Sequence, residues 1–405
     1  MVKLKRLKIN KYRNVRPGTE LRFDDGFNLV LGQNASGKTA LLSLISMVCR
    51  SVFKEIEHEE FALEYTLAAN THTIQVTVTH QRQTDGPEPR LWDDAYTIRI
   101  DDGANDPSLI SSDDKSSSTP LFMDWSFIAA ALTNRKDSRT SLRSELLIAC
   151  GNAYRFDESL DGFAAMTGRD SLLKGAAAPP PTYFQLREVR VPRGVIDVTE
   201  GAYIPNDLAN AIQKAFKARS ESINVSDAAR PLADQIAAAL GVKRLEIVPQ
   251  IRERLRNGAE SSSISGGFDA YIFRSDGSVH HDRWSYGQKR LVAFFYFLAL
   301  NRDVVIADEL VNGLHHRWIQ ACMEAIGDRQ AFLTSQNPLL FDYIPDFESA
   351  EQVQSRFVTC KTEIVDGVEQ LVWQNMPADH ARVFYDAYKD EVEQVGEILI
   401  ARGLW

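Results

Sequence analysis

At 405 residues, with 44% hydrophobic and 25% charged side chains, the chain can hold one large domain or two ordinary ones and is too apolar to be disordered throughout. A net charge of −9 excludes a binder that uses its whole surface on nucleic acid and leaves room for local basic strips. Cys49, Cys150, Cys322 and Cys360 follow no C-x-x-C spacing, the start is charged from Lys3 onward, and no apolar run reaches a bilayer span. Neither a zinc site, a disulfide framework, a signal peptide nor a membrane partner is therefore expected, and the cytoplasm is the predicted location.

Residues 1–31 read as three short strands, Val2–Tyr12, Leu21–Phe23 and Phe27–Leu31, divided by turn residues at Pro17-Gly18 and Asp24-Asp25-Gly26. Residues 1–16 carry Lys3, Lys5, Arg6, Lys8, Lys11, Arg13 and Arg16 and no acid. Two readings stay open for them: a phosphate-facing edge, or a charged strand guarded against edge pairing.

The stretch Phe27–Leu42, FNLVLGQNASGKTALL, has the pattern G-x-x-x-x-G-K-[ST] between a predicted strand and a predicted helix. Gly32 and Gly37 let the backbone wrap closely enough for its N–H groups to face phosphate oxygens, and the new helix adds its positive dipole end. The predicted nucleotide-binding set is Gly32, Asn34, Ala35, Ser36, Gly37, Lys38, Thr39 and Ala40. Lys38 would reach the β- and γ-phosphates, and Thr39 would hold Mg²⁺ through its hydroxyl. A glycine-rich turn that merely carries a lysine is the bland alternative, and it does not account for the flanking strand and helix.

Three strands follow, Phe61–Ala69, Thr71–His80 and Tyr96–Asp101; Ile74, Val76 and Val78 alternate as in a half-exposed antiparallel sheet. Residues 102–119 are acidic and serine-rich, which predicts a mobile surface loop. Helical signals return at Leu121–Leu132 and Ser141–Ala149, and Lys174–Pro181 (KGAAAPPP) reads as a hinge. A strand-like run, Tyr183–Val198, leads into a predicted helical region at about 206–257. The basic residues there, from Lys214 to Arg256, are read as a solvated helix face in preference to a partner or DNA surface.

From Phe268 the pattern sharpens: a strand to Arg274, a turn at Asp276-Gly277, then WSYGQKRLVAFFYFLAL (Trp284–Leu300), a polar entry to an apolar helix. DVVIADEL (Asp303–Leu310) is an apolar strand ending in two acids. NGLHH (Asn312–His316) leaves it, and a helix, Trp318–Ile326, precedes the short strand of AFLTSQNP (Ala331–Pro338). A hairpin of Arg356–Ile364 and Gln370–Gln374 and a last helix, Ala378–Arg402, complete the chain. The expected divisions are 1–120, a mainly helical insertion at 121–267, 268–345, and 346–405.

Phosphoryl transfer needs positioned phosphates, a metal and a group that orients water. Asp308 would bind Mg²⁺ through water and Glu309 would act as general base. Ser285, Tyr286, Gly287 and Gln288 open the apolar helix; alone, they would be an ordinary helix cap.

With these residues placed, the chain resembles ATP-binding-cassette ATPases of the SMC, RecF and overcoming-lysogenisation-defect branch. GQNASGKT resembles its phosphate loop, SYGQK its signature motif, VVIADE its second nucleotide motif, and DELVNGLHH the string found in overcoming-lysogenisation-defect-like proteins. The opening KLKRLKINKYRN resembles its first strand, whose arginine, here Arg13, lies near the nucleotide. The likeness covers about residues 1–50 and 268–340 and the closing GLW; residues 51–267 match nothing named. It implies an α/β fold, a cassette-type P-loop NTPase head with a mixed-sheet core, an antiparallel β subdomain and a largely helical insertion. It also implies ATP and Mg²⁺ as cofactors, and two heads that sandwich ATP, with Ser285, Gly287 and Gln288 of one facing the γ-phosphate on the other. The metal set would be Thr39, Asp308 and a lid glutamine, Gln185. The catalytic set would be Lys38, Glu309 and, where the family carries its switch histidine, Gln336. Glutamine can hydrogen-bond a phosphate or water but carries no proton as imidazole does, so slow turnover is expected.

The residues after Pro338 are too few for a Toprim nuclease of about 100–150 residues. The expected function is a sensor or scaffold of a bacterial anti-phage system of the retron, Septu or PARIS kind. It would self-associate as a dimer or higher even oligomer and control a separate nuclease or toxin. The alternative is a RecF-like DNA-binding repair ATPase, with DNA as partner. A transporter cassette is disfavoured by the insertion between phosphate loop and signature.

Overall fold

The computed structural model describes residues 1–82, 92–101, 103, 107–111, 153–167, 183–191, 194–202, 205, 208, 225–257, 260–337, 340, 343–344, 346–390 and 395–401. The helices expected at Leu121–Leu132 and Ser141–Ala149, the hinge at Lys174–Pro181, Cys150 and the closing GLW lie outside them. Clustering of the chain gives two compact units: residues 1–155 with 301–310 and 327–405, and residues 156–300 with 311–326.

The chain opens with β1 (Val2–Tyr12), β2 (Thr19–Arg22), β3 (Phe27–Leu31), α1 (Lys38–Arg50), β4 (Phe61–Ala69), β5 (His72–Arg82), β6 (Trp92–Asp101) and β7 (Ser108–Ser111). Then β8 (Arg155–Phe156) carries it from the first unit to the second. An antiparallel sheet has the order β2-β1-β4-β5-β6-β7. Along β1 the buried side chains are Val2, Leu4, Leu7, Ile9 and Tyr12, a spacing that alternates two and three. Two breaks in register with β4, at Leu4/Arg6 and Ile9/Lys11, reset the phase each time. Strand β7 falls within the segment expected to be a loop; its backbone pairs with Thr97–Ile100, so the β6 edge supplied hydrogen bonds that composition could not reveal.

Both readings of the basic opening strand are overturned. β1 lies between β2 and β4, not at an edge, and its charges are answered within the chain. Lys5 meets Asp25, Arg6 meets Glu20, Lys8 meets Glu64, Lys11 meets Glu60, Arg13 meets Glu59 and Arg16 meets Glu363, while Lys3 donates to the carbonyls of Asp25 and Asp328. The matching acids sit on neighbouring strands and turns, where a scan of residues 1–16 cannot see them.

In the second unit come α2 (Asp161–Met166), β9 (Tyr183–Val191), β10 (Gly194–Ala202), α3 (Val225–Leu240), β11 (Arg244–Asn257), β12 (Glu260–Arg274), β13 (Gly277–His280) and α4 (Tyr286–Leu300). The first unit resumes with β14 (Val304–Ala307). α5 (His316–Ile326) belongs to the second, and β15 (Gln330–Leu333), α6 (Ala350–Arg356), β16 (Phe357–Val365), β17 (Val368–Asn375), α7 (Ala378–Lys389) and α8 (Val395–Ala401) close the chain. The segment 121–267, expected to be mainly helical, holds four long strands among its described residues, ordered β10-β9-β12-β11. The helical expectation for 206–257 survives in α3 and fails in β11. There Leu245 and Ile247 are buried while Arg244 and Glu246, each preceding one of them, are not, a period of two that the charge content masked. Within this unit α4 is buried on nearly every side; the Phe156 ring meets Phe294 edge-on and Phe297 at a tilt, with centroids 5.2 and 5.6 Å apart.

In the first unit a mixed sheet runs β17-β16-β3-β15-β14. β3 is parallel to both β15 and β16, β14 is parallel to β15, and β17 returns antiparallel to β16. β3 and β14 are buried along their whole length, as expected of central parallel strands. Leu41, Leu44, Ile45 and Val48 of α1 share one core cluster with Leu7 and Val76 of the antiparallel sheet and with Val304, Ile306 and Phe332 of the mixed sheet. A buried glutamine ties the two sheets: Gln330 accepts from the Leu4 N–H at 2.7 Å and donates to the Leu4 and Asp24 carbonyls at 2.8 and 2.7 Å. Cys49, Cys322 and Cys360 are buried thiols. Among the described residues no helix is long and apolar enough to cross a membrane.

Candidate functional site

The loop between β3 and α1 takes the shape its glycines permit. Gly32, Ala35 and Gly37 have φ of 147°, 65° and 85°. A Cβ on Gly32 would come within 2.2 Å of the Cys360 carbonyl oxygen, and one on Gly37 within 2.9 Å of Leu371. Both positions thus need glycine for backbone angle, and Gly32 needs it for space as well, since the atom in its way is backbone. Gly37 caps α1 with no side-chain hydrogen bond, and the first turn carries no acid, so the helix presents N–H groups and a positive dipole end. Ser36 Oγ is buried with no hydrogen-bond partner among the described residues. Asn34 and Ala35 are exposed, and Ala40 is half-buried.

Lys38 folds back onto the loop, its Nζ donating to the Gly32 and Gln33 carbonyls at 2.6 and 3.1 Å. Thr39 Oγ1 donates to Asp308 Oδ2 at 2.7 Å. Thr334 Oγ1 donates to the other carboxylate oxygen of Asp308 and accepts from the Glu309 N–H at 2.9 Å. One hydroxyl just past β15 therefore orients both acids at the end of β14. Glu309 has a left-handed φ of 53°, which turns it out of the strand, and its Oε2 accepts from the Gln336 N–H at 2.7 Å. Burial lifts the Glu309 carboxyl above the usual carboxylate range, and the Asp308 charge adds to the rise. The Gln336 N–H and the Lys38 charge pull it down.

Gly32, Asn34, Lys38, Ser335 and Gln336 line one cleft of about 350 Å³, with Gln33 and Leu31 completing it. A second, of about 860 Å³, lies between residues Gly32–Ser36 and the β16–β17 hairpin with His380. The fold thus brings Lys38, Thr39, Asp308, Glu309 and Gln336 together around the loop. Thr39 and Asp308 form an all-oxygen pair at a helix head, the donor chemistry a hard dication such as Mg²⁺ takes, so these residues fit that ion.

Five expected site residues lie elsewhere or are not defined. Arg13 is engaged in a bidentate pair with Glu59, both contacts at 2.7 Å. Gln185 falls on β9, whose side chains lie outside the described residues. The signature segment belongs to the second unit. There Ser285 and Gln288 close a reciprocal cap: the Ser285 N–H donates to Gln288 Oε1 at 2.9 Å, and the Gln288 N–H to Ser285 Oγ at 3.3 Å. Gly287 is required by packing, since a Cβ there would come within 2.7 Å of the Gly313 carbonyl oxygen. Ser285 itself is exposed.

Sequence reasoning missed two residues. Thr334 was legible as a hydroxyl ending an apolar strand, although its double role was not. Arg155, whose guanidinium donates to Asp308 Oδ2 at 2.6 Å, sits in a stretch with no motif to mark it.

Residues 6–145 match the protein family described as "AAA domain". No curated protein matches the chain. Among solved structures, one described as the SMC head bound to the C-terminal winged-helix domain of ScpA is 11% identical, covers 93% of this chain and 98% of its own, and has a TM-score of 0.44. The SMC head domain from Thermotoga maritima is 12% identical, with coverage of 91% and 98% and a TM-score of 0.34. At those scores neither likeness assigns this chain a function.

Proposed function

We propose that the chain binds ATP with Mg²⁺ at its phosphate loop and hydrolyses it slowly. The supporting observation is the convergence of Lys38, Thr39, Asp308, Glu309 and Gln336 around an uncapped helix N-terminus. The α1 amides and Lys38 bind the phosphates. Thr39 and Asp308 hold the cation, which supplies charge neutralisation at the phosphates when bound. Glu309, turned toward Gln336 and carrying a raised affinity for protons, takes the proton of an attacking water. Gln336 orients that water through its amide.

The heads pair around ATP, with the exposed Ser285 of one copy donating to the γ-phosphate held by the other. In the cell the pair serves as the sensor or scaffold of an anti-phage system and holds or releases a separate nuclease or toxin; the DELVNGLHH string is what supports that finer role. Particle mass of Glu309→Gln tests the pairing: ATP is expected to double it, and an unchanged mass at saturating ATP overturns it. A phage challenge tests the role, since Lys38→Ala protecting as well as wild type would contradict it. The alternative is a RecF-like DNA-binding repair ATPase; a basic opening strand exposed for DNA does not support it, since those side chains are met by acids and carbonyls of this chain. Salt-dependent DNA binding that strengthens with ATP would restore it.

A further inference from the structure

Asp308 Oδ2 carries two donors at once. The Thr39 hydroxyl lies 2.7 Å from it and the Arg155 guanidinium 2.6 Å. The Arg155 side chain is 17% exposed and that of Asp308 7%, so solvent and salt screen the pair little. A dication held by Thr39 needs the same carboxylate, directly or through one of its waters. With the Thr39 hydroxyl and the Arg155 guanidinium on it, Oδ2 has both of its lone pairs in use, and a fixed positive charge in contact with that oxygen repels the incoming ion.

We propose that Arg155 competes with divalent metal for the Thr39–Asp308 site, and that the metal enters only by displacing it from Asp308. While the metal is absent, Arg155 neutralises the buried carboxylate and holds it toward Thr39. When the metal binds, the guanidinium gives up that oxygen. Arg155 is the last residue of the first unit and opens β8, which continues into the second. The displacement therefore acts on the backbone segment at which the chain passes from one unit to the other. The proposed ATP binding supplies the reason a metal comes; the competition for Asp308 does not depend on it.

The test uses the full chain without nucleotide, titrated with Mn²⁺ and read by electron paramagnetic resonance. Arg155→Met is expected to bind Mn²⁺ about tenfold more tightly than wild type. Arg155→Lys, which keeps the charge, is expected to stay near wild type, and Asp308→Asn to lose the site in either background. Unchanged or weaker Mn²⁺ binding by Arg155→Met overturns the proposal. A second titration follows ATP binding against Mg²⁺. Arg155→Met is expected to lower the Mg²⁺ midpoint, whereas ATP binding weakened equally with and without Mg²⁺ would make Arg155 a phosphate ligand and overturn displacement. If wild type retains no ATP while the Mn²⁺ difference appears, the nucleotide reading fails and the competition stands. Normal ATP binding with no Mn²⁺ difference overturns the competition and leaves the nucleotide reading in place. Should Arg155→Met and Arg155→Gln both fail to fold, wild-type hydrogen exchange decides. Saturating Mg²⁺ and ATP are expected to speed amide exchange at residues 153–157, and unchanged exchange there contradicts displacement.

Discussion

Two helices of this chain begin at a polar turn containing glycine, and their N-termini are left in opposite states. α1 starts at Gly37 with no side chain on its first N–H groups, and its cationic neighbour Lys38 is parked on loop carbonyls. α4 starts at Ser285, and Ser285 and Gln288 satisfy each other's N–H groups. The first end is ready for an anion. The second is finished, and a phosphate reaching Ser285 must compete with its cap. A glycine at a helix start is therefore no measure of ligand affinity by itself; what counts is whether the chain's own side chains have already taken the donors.

The largest expected effect comes from filling the open turn. Gly32→Ala places a Cβ against the Cys360 carbonyl at a backbone angle alanine resists. Chemical denaturation is expected to show a loss of about 3 kcal/mol or more. A loss under about 1 kcal/mol would mean the loop relaxes freely and is not held by the β16 strand.

Next in size is the closed end. Ser285→Ala removes half of the reciprocal cap and is expected to cost about 1 kcal/mol in the same measurement, with Gln288→Ala similar. If both variants are as stable as wild type, the cap is idle and the contrast between the two helix starts disappears. If ATP-dependent pairing is lost while stability falls only by the cap's share, the comparison sharpens: the exposed serine then serves its own helix and a second copy.

The smallest effect is electrostatic. Burial raises the affinity of Glu309 for its proton in the folded chain above that in the unfolded one. Its contribution is favourable below the unfolded pKa and is lost as pH rises through the folded value, because ionising a buried carboxyl costs stability. Glu309→Gln, which resembles the protonated form, is expected to melt higher than wild type near pH 8 and to lose that advantage as pH falls toward about 4. A pH-independent difference in Tm would show that Glu309 carries no burial cost.

The sequence was most legible where local pattern and final contact coincide. Strands Val2–Tyr12, Phe27–Leu31 and Phe61–Ala69 form over the predicted residues, because their apolar side chains, alternating in the last part of Phe61–Ala69 and continuous in Phe27–Leu31, are the ones that are buried. The phosphate loop and the two acids after β14 were legible for the same reason, since their spacing along the chain fixes their geometry. What stayed hidden was set by partners distant in sequence. The basic strand reads as a phosphate-facing edge or as a guarded edge strand until Glu20, Glu59, Glu60 and Glu64 come alongside it. In the second unit β11 and the first half of β12 were obscured by arginine and serine content, which says little about backbone when cross-strand pairing supplies the hydrogen bonds. Arg155 reaches Asp308 across a stretch of chain that no short pattern spans.

The open end of α1 is tested most directly by equilibrium dialysis of ATP at saturating Mg²⁺ against wild type and Lys38→Ala. The account predicts saturable binding by wild type, close to one ATP per chain, and affinity weaker by on the order of a hundredfold in the variant. Equal binding by the two, or no saturable binding by wild type at millimolar ATP, would contradict it.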